Sequence, residues 1–183
     1  MALSKLAANS FDLTDNYALT GTVTGAVSTQ KLFLIKNIDA SSSSTLSFVD
    51  GSSSVVLDNT YKEYLFTFNN IHPQNDSVNL QVNFRDGGSS YDATKTTTIF
   101  RAYHNEQGSA QSLGYVTGDD LAQATGFQTV HYGVDNDADS SCSGEMFLFN
   151  PSSTTFVKHF MICGNTVQES EITRTDHISG YCN

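Results

Sequence analysis

The chain has 183 residues, of which nine are Lys or Arg and 19 are Asp or Glu, for a net charge of −10 at neutral pH. That length encloses one well-buried core and is too short for two comfortable domains, while a surface so acidic repels nucleic-acid phosphates and anionic lipid heads, which excludes both as partners. No run of 18 apolar residues occurs, and Met1-Ala-Leu-Ser-Lys5 lacks the long apolar core of a signal peptide, so the expectation is a chain made in the cytoplasm, neither inserted in a membrane nor exported.

Charged residues make up only 15% of the chain, and Ser, Thr, Asn and Gly take their place, a composition of strands and loops. Residues 1–30 carry short apolar clusters with no sustained helical period. They read as an extended N-terminal arm whose Phe11, Leu13, Tyr17 and Leu19 are candidate contacts to a partner. Residues 31–183 then read as one domain. Lys31–Lys36 and Thr45–Val49 are its first expected strands, separated by a serine loop. Tyr61–Phe68 sets Tyr64, Phe66 and Phe68 on one face, and Val78–Phe84 alternates apolar and polar, with Val78, Leu80, Val82 and Phe84 inward. Asp86-Gly87 signals a tight hairpin leading into a strand over Thr96–Tyr103. From His104 to Asp139 glycines recur among short apolar pieces, which predicts loops, one helical turn near Asp119–Gln123 and an edge strand at Phe127–Tyr132.

The segment Gly144–Cys163 is the organising feature. Met146 and Leu148 share one face and Phe147 and Phe149 the other, so the strand is expected to be covered on both sides, and Asn150-Pro151-Ser152-Ser153 turns the chain into a return strand over Thr154–Cys163. Ile172, Ile178 and Tyr181 suggest one more short element. Eight to ten short strands without a long helix predict an all-β, two-sheet antiparallel β-sandwich, jelly-roll-like in arrangement.

Few residues carry the marks of chemistry. Asp135, Asp137 and Asp139 offer carboxylates at alternate positions, as a Ca²⁺ loop does, but Ser140 stands where such a loop needs Gly and Met146 where it needs Glu. A solvated loop is the favoured reading, with no metal or cofactor expected. Asp119-Asp120 reads as a helix cap. Cys142, Cys163 and Cys182 are odd in number and show no C-x-x-C spacing, which points to buried free thiols. The five histidines lie on separate elements. No nucleophile elbow is present, and Arg101–Glu106 is the densest mixed polar cluster, read first as a strand end entering a loop. Loop aromatics Tyr91, Tyr103, Tyr115 and Tyr132 are candidate glycan contacts, as in a carbohydrate-binding module; the lack of Trp counts against that role.

Five segments taken together carry a resemblance: Tyr61–Pro73, Asp86–Tyr91, Thr96–Glu106, Leu121–Phe127 and Leu148–Phe160. Over roughly residues 40–181 the chain resembles a family of virion structural proteins of tailed, largely marine, bacteriophages, and Phe11–Tyr17 with Thr20–Gly25 resembles the opening of phage fibre-like proteins. The resemblance implies a non-enzymatic head or tail decoration or fibre protein, assembled in the host cytoplasm into the virion through contacts with other virion proteins. It also implies a homo-oligomer, a trimer first. No catalytic residue is implied. Family members generally continue past Ser179-Gly-Tyr181 with further strands, whereas this chain ends at Asn183, so the closing edge of the sandwich is left without an assigned strand.

Overall fold

Apolar and polar side chains alternate over 5 to 11 residues at a time, the period that makes strands, and the computed structural model, which describes residues 32–169 and 171–183, shows eight strands and no helix among them. They are β1 Glu63–Ile71, β2 Val78–Val82, β3 Lys95–Asn105, β4 Gln111–Tyr115, β5 Gln128–Val134, β6 Cys142–Phe149, β7 Lys158–Gln168 and β8 Ile172–Cys182. All pairings are antiparallel. Six strands form the main sheet in the order β1-β6-β7-β8-β3-β4, and β2 and β5 pair as a ribbon joined to it through Val134 opposite Gln168 on β7.

Five strands of the main sheet, all but the exposed β4, turn alternate side chains inward, and Tyr64, Met146, Leu148, Phe160, Ile162, Ile178, Ile99 and Cys182 form the core there. Val130 from β5, with half-buried Leu80 and Val82 from β2 and Phe84 just beyond it, packs against them; the Phe84 and Phe160 rings lie 5.0 Å apart. One pair of glycines shapes this packing. Gly144 and Gly164 stand opposite each other on β6 and β7, and a Cβ at Gly164 would lie 2.5 Å from His131 Nε2, so the bare backbone leaves the space that the buried imidazole fills.

Residues Ile35–Asn183 form one compact unit and Met1–Leu34 another; of the second only Leu32, Phe33 and Leu34 are described, all exposed. The expected arm, with Phe11, Leu13, Tyr17 and Leu19, lies outside the described residues.

The hairpin expected at 144–163 is central, with Glu145 opposite Cys163 and Leu148 opposite Phe160, and its strands lie between β1 and β8. It is not covered on both sides. Phe147 and Phe149 are half-buried, Met161 is 52% exposed, and the return strand begins only at Lys158, leaving Phe156 exposed in the turn. Several other expectations are corrected. Residues 32–36 and 45–49 form no strand with any described residue; 35–62 runs irregularly beside β1, where Phe48 meets Phe66 edge to face and Asp58 O accepts the Tyr64 hydroxyl at 2.9 Å. The Asp86-Gly87 turn joins no hairpin, because β2 pairs with β5 while β3 lies between β8 and β4. No helical turn forms at 119–123: Thr97 N–H donates to Leu121 O and Lys95 N–H to Ala124 O, so this loop extends the sheet edge beside β3. The expected edge strand near 127–132 is β5, with Gln128, Val130 and His131 fully buried, and the last short element is the 11-residue β8, inside the sheet.

Candidate functional site

Two features of the fold are candidates for function. The first is polar and lies on the inner face. Parity along β8 and β3 puts Arg174, Asp176 and Arg101 on the core side, as it does Ile178 and Ile99. Asp176 is wholly buried, accepting Arg101 Nε at 2.6 Å, with Arg174 Nε at 3.3 Å and His131 Nδ1 at 3.5 Å. Arg101 reaches on to Asp119 at 2.7 Å, and Arg174 Nη1 donates to Gln168 at 3.0 Å. Burial alone would raise the Asp176 carboxyl, but the imidazole and the two guanidiniums outweigh it and hold its pKa below the usual carboxylate range. The Tyr132 ring covers both cations, 5.8 Å from the Arg101 guanidinium carbon and 5.0 Å from that of Arg174. Two guanidiniums thus face two carboxylates, and the group works as a brace among β3, β5, β8 and the 116–127 loop. Both carboxylates of the group, Asp119 and Asp176, are engaged by guanidiniums.

The tyrosines named from the sequence are only partly brought together. Tyr103 and the backbone around Tyr115 line a recess of about 200 Å³ beside Arg101, with Ser112, Gly114 and Val116, and Tyr132 stacks on the same arginine. The Tyr115 hydroxyl instead bonds Asp120 at 2.6 Å, so neither Asp119 nor Asp120 caps a helix. Tyr91 sits apart, with the Arg85 guanidinium 5.5 Å from its ring.

The Asp135 loop turns inward rather than to a cation. Asp135 is buried and accepts the Ser140 hydroxyl at 2.8 Å, which holds its carboxyl below the ordinary range, while Asp137 and Asp139 are exposed. Among the described residues no three His, Cys, Asp or Glu side chains converge as a metal site would require. The cysteines are free. Burial raises the thiol of Cys142 to about 12 and that of Cys182 to about 11, and half-buried Cys163 is raised by burial and by Glu145, so none is poised as a thiolate nucleophile.

The second feature is the outer face of the main sheet. Three rows of side chains cross it in register: Leu65, Phe147, Met161, Ser179 and Thr98; Thr67, Glu145, Cys163, His177, Phe100 and Tyr115; and Glu63 with Phe149, then His159, Tyr181 and Thr96. Leu65, Phe100, Tyr115 and Met161 are exposed, Phe147 and Phe149 stack at 6.3 Å, and Phe100 stacks on His177 at 4.9 Å. In a chain of net charge −10, the only carboxylates in these rows are Glu63 and Glu145, and no Lys or Arg stands in them. A broad depression of about 460 Å³ lies over β8, where Ser179, Gly180, Thr96 and Thr98 are small, rimmed by Phe149, His159, Met161 and Tyr181. An apolar, charge-poor surface of this extent is what monomeric proteins rarely leave open.

Neither a family model, nor a curated protein, nor a solved structure shows significant similarity to the chain.

The sequence reading missed His131, Arg174, Asp176, Lys95 and Gln128 as buried polar groups. A signal for two of them was present: Arg174, Asp176 and Ile178 alternate, so a strand that turns Ile178 to the core turns both charges inward as well.

Proposed function

We propose that this chain is a non-enzymatic structural component of a tailed-bacteriophage virion, a head or tail decoration or fibre protein that assembles with other copies of itself and with other virion proteins in the host cytoplasm. The observation that carries the reading is the open apolar face of the main sheet, a surface suited to assembly and not to turnover. The resemblance of five segments to virion proteins supports the setting. Two finer features belong to the same reading: a jelly-roll-like sandwich with the β2–β5 ribbon as its second layer, and an N-terminal arm that docks on neighbouring virion proteins through Phe11, Leu13, Tyr17 and Leu19.

The test is incorporation. Phage carrying Met161→Glu should yield particles depleted of this protein although the purified variant melts as the wild type does; particles with an undiminished complement would show that the face takes no part in assembly.

A carbohydrate-binding module is the second reading, favoured by the recess beside Arg101, where Tyr103 and Tyr132 offer aromatic faces next to a cation. Binding on a glycan array that Tyr103→Ala and Tyr132→Ala abolish would support it, and an array without signal would remove it.

A further inference from the structure

We propose that the outer face of the main sheet is the seat of a second copy of this chain, laid face to face about a two-fold axis running along β7. The inference rests on the assembly reading above and names the partner. Its first ground is shape. The face is unlike on the two sides of β7: the large side chains of Leu65 and Phe147 stand on β1 and β6, while small Ser179, Gly180, Thr96 and Thr98 on β8 and β3 floor the depression of about 460 Å³, which Phe149, His159 and Met161 rim. Rotation by half a turn about a line along β7 carries β6 over β8 and β1 over β3. Each copy's Phe147 then stands over the other's Ser179, in the hollow, twice over. An isologous contact of this kind requires one surface to be complementary to itself, and the large and the small side chains lie on opposite sides of the same strand.

Charge is the second ground. Glu145 on β6 and His177 on β8 occupy one cross-strand row, each a single strand away from β7. The same rotation sets Glu145 of each copy against His177 of the other and centres Met161 and Cys163 on the axis. With no Lys or Arg in the rows, no lysine or arginine meets its own copy, and His159 joins Met161 and Cys163 on the axis, where it faces the other copy's His159.

Area is the third. The five strands that overlap, at about 4.8 Å each, and three outward rows at about 6.8 Å span roughly 500 Å², so the pair would remove about 1,000 Å² in total, the size of a weak, reversible interface. Two sheets packed in this way sit about 10 Å apart with their strands near alignment, as in a sandwich made from one chain. The pair expected is a reversible dimer with a dissociation constant on the order of a micromolar, and not the trimer that the resemblance implies.

Sedimentation equilibrium of the purified full chain, without added metal, tests this together with the thiol at the axis. Cys163 is the half-buried cysteine, Cys142 and Cys182 being buried, so a maleimide should label it alone, and more slowly as the dimer forms. Glu145→Lys should weaken the dimer by about tenfold or more, and adding His177→Glu in the same chain should restore most of the loss. Thr98→Arg, at an exposed position that fills the hollow, should also yield a folded monomer. A wild-type monomer at about 100 µM, a trimer, or a Glu145→Lys effect that His177→Glu does not relieve would each overturn the proposal. Should Met161→Glu empty the particles of this protein while the purified wild type stays monomeric, a different virion protein covers the face; the pairing is then wrong and the assembly reading stands.

Discussion

Asp176 is the residue on which the interior depends most. It is fully buried between Arg101 and Arg174, and removing it would leave the buried Arg174 guanidinium without a carboxylate and Arg101 with Asp119 alone, which typically costs about 3–5 kcal/mol. Asp176→Ala should show a loss of that size in urea denaturation. The pH dependence follows from the direction of its shift. Because the folded carboxyl has a lowered pKa, the native state binds fewer protons than the unfolded chain; the contribution is full above the unfolded value near 4 and disappears as pH falls through the folded one. Thermal melts between about pH 2 and 5 should therefore show a flatter acid limb for Asp176→Asn than for the wild type. Gly164→Ala probes the same place sterically. Its Cβ would meet His131 Nε2 at 2.5 Å and Ser143 O at 2.8 Å, contacts that strand backbone cannot relieve, and a loss of about 1–3 kcal/mol in chemical denaturation is expected. Little of this site was legible beforehand. Lys95 falls just before the strand read over Thr96–Tyr103, yet it opens β3 and its ammonium is buried against Ala93 O at 2.6 Å and Asn83, with its pKa lowered by burial. Such partners belong to loop geometry, which alternation along a strand does not encode.

At the scale of elements, the 144–163 hairpin separates what periodicity can and cannot tell. That Met146 and Leu148 oppose Phe147 and Phe149 follows from a period of two, and the turn follows from Pro151. Which face is covered does not, because both are apolar and only the neighbours decide. The structure covers the Phe160 side and leaves the Phe147 side open. Phe160→Ala should thus cost about 3–5 kcal/mol as a core cavity, and Phe147→Ala roughly 1 kcal/mol in the isolated monomer, a contrast that parallel urea titrations of the two variants would measure. Equal losses would mean that the outer face is also filled within one chain. β1, with Tyr64, Phe66 and Phe68 on one face, was readable for this reason. The β2–β5 pairing was not: the Asp86-Gly87 signal is local and reports a turn, while strand order is set by contacts distant in sequence, such as Gln128 near Val82.

Taken whole, the molecule buries one face of an antiparallel sheet well and leaves the other unusually apolar for so acidic a chain. Composition, with the count of short segments between turn residues, made the all-β class legible. It could not reveal that only two carboxylates, Glu63 and Glu145, stand in the outer rows, since that depends on how β1, β6, β7, β8 and β3 align in register. The central claim is that this face associates with another copy, and the measurement that meets it most directly is the mass of the wild-type chain by sedimentation equilibrium, run beside Met161→Glu. The account predicts a concentration-dependent approach to twice the 19.9 kDa chain mass for the wild type and a single monomer mass for the variant. A wild type that remains at the monomer mass at every concentration, or a variant that associates as the wild type does, would contradict it.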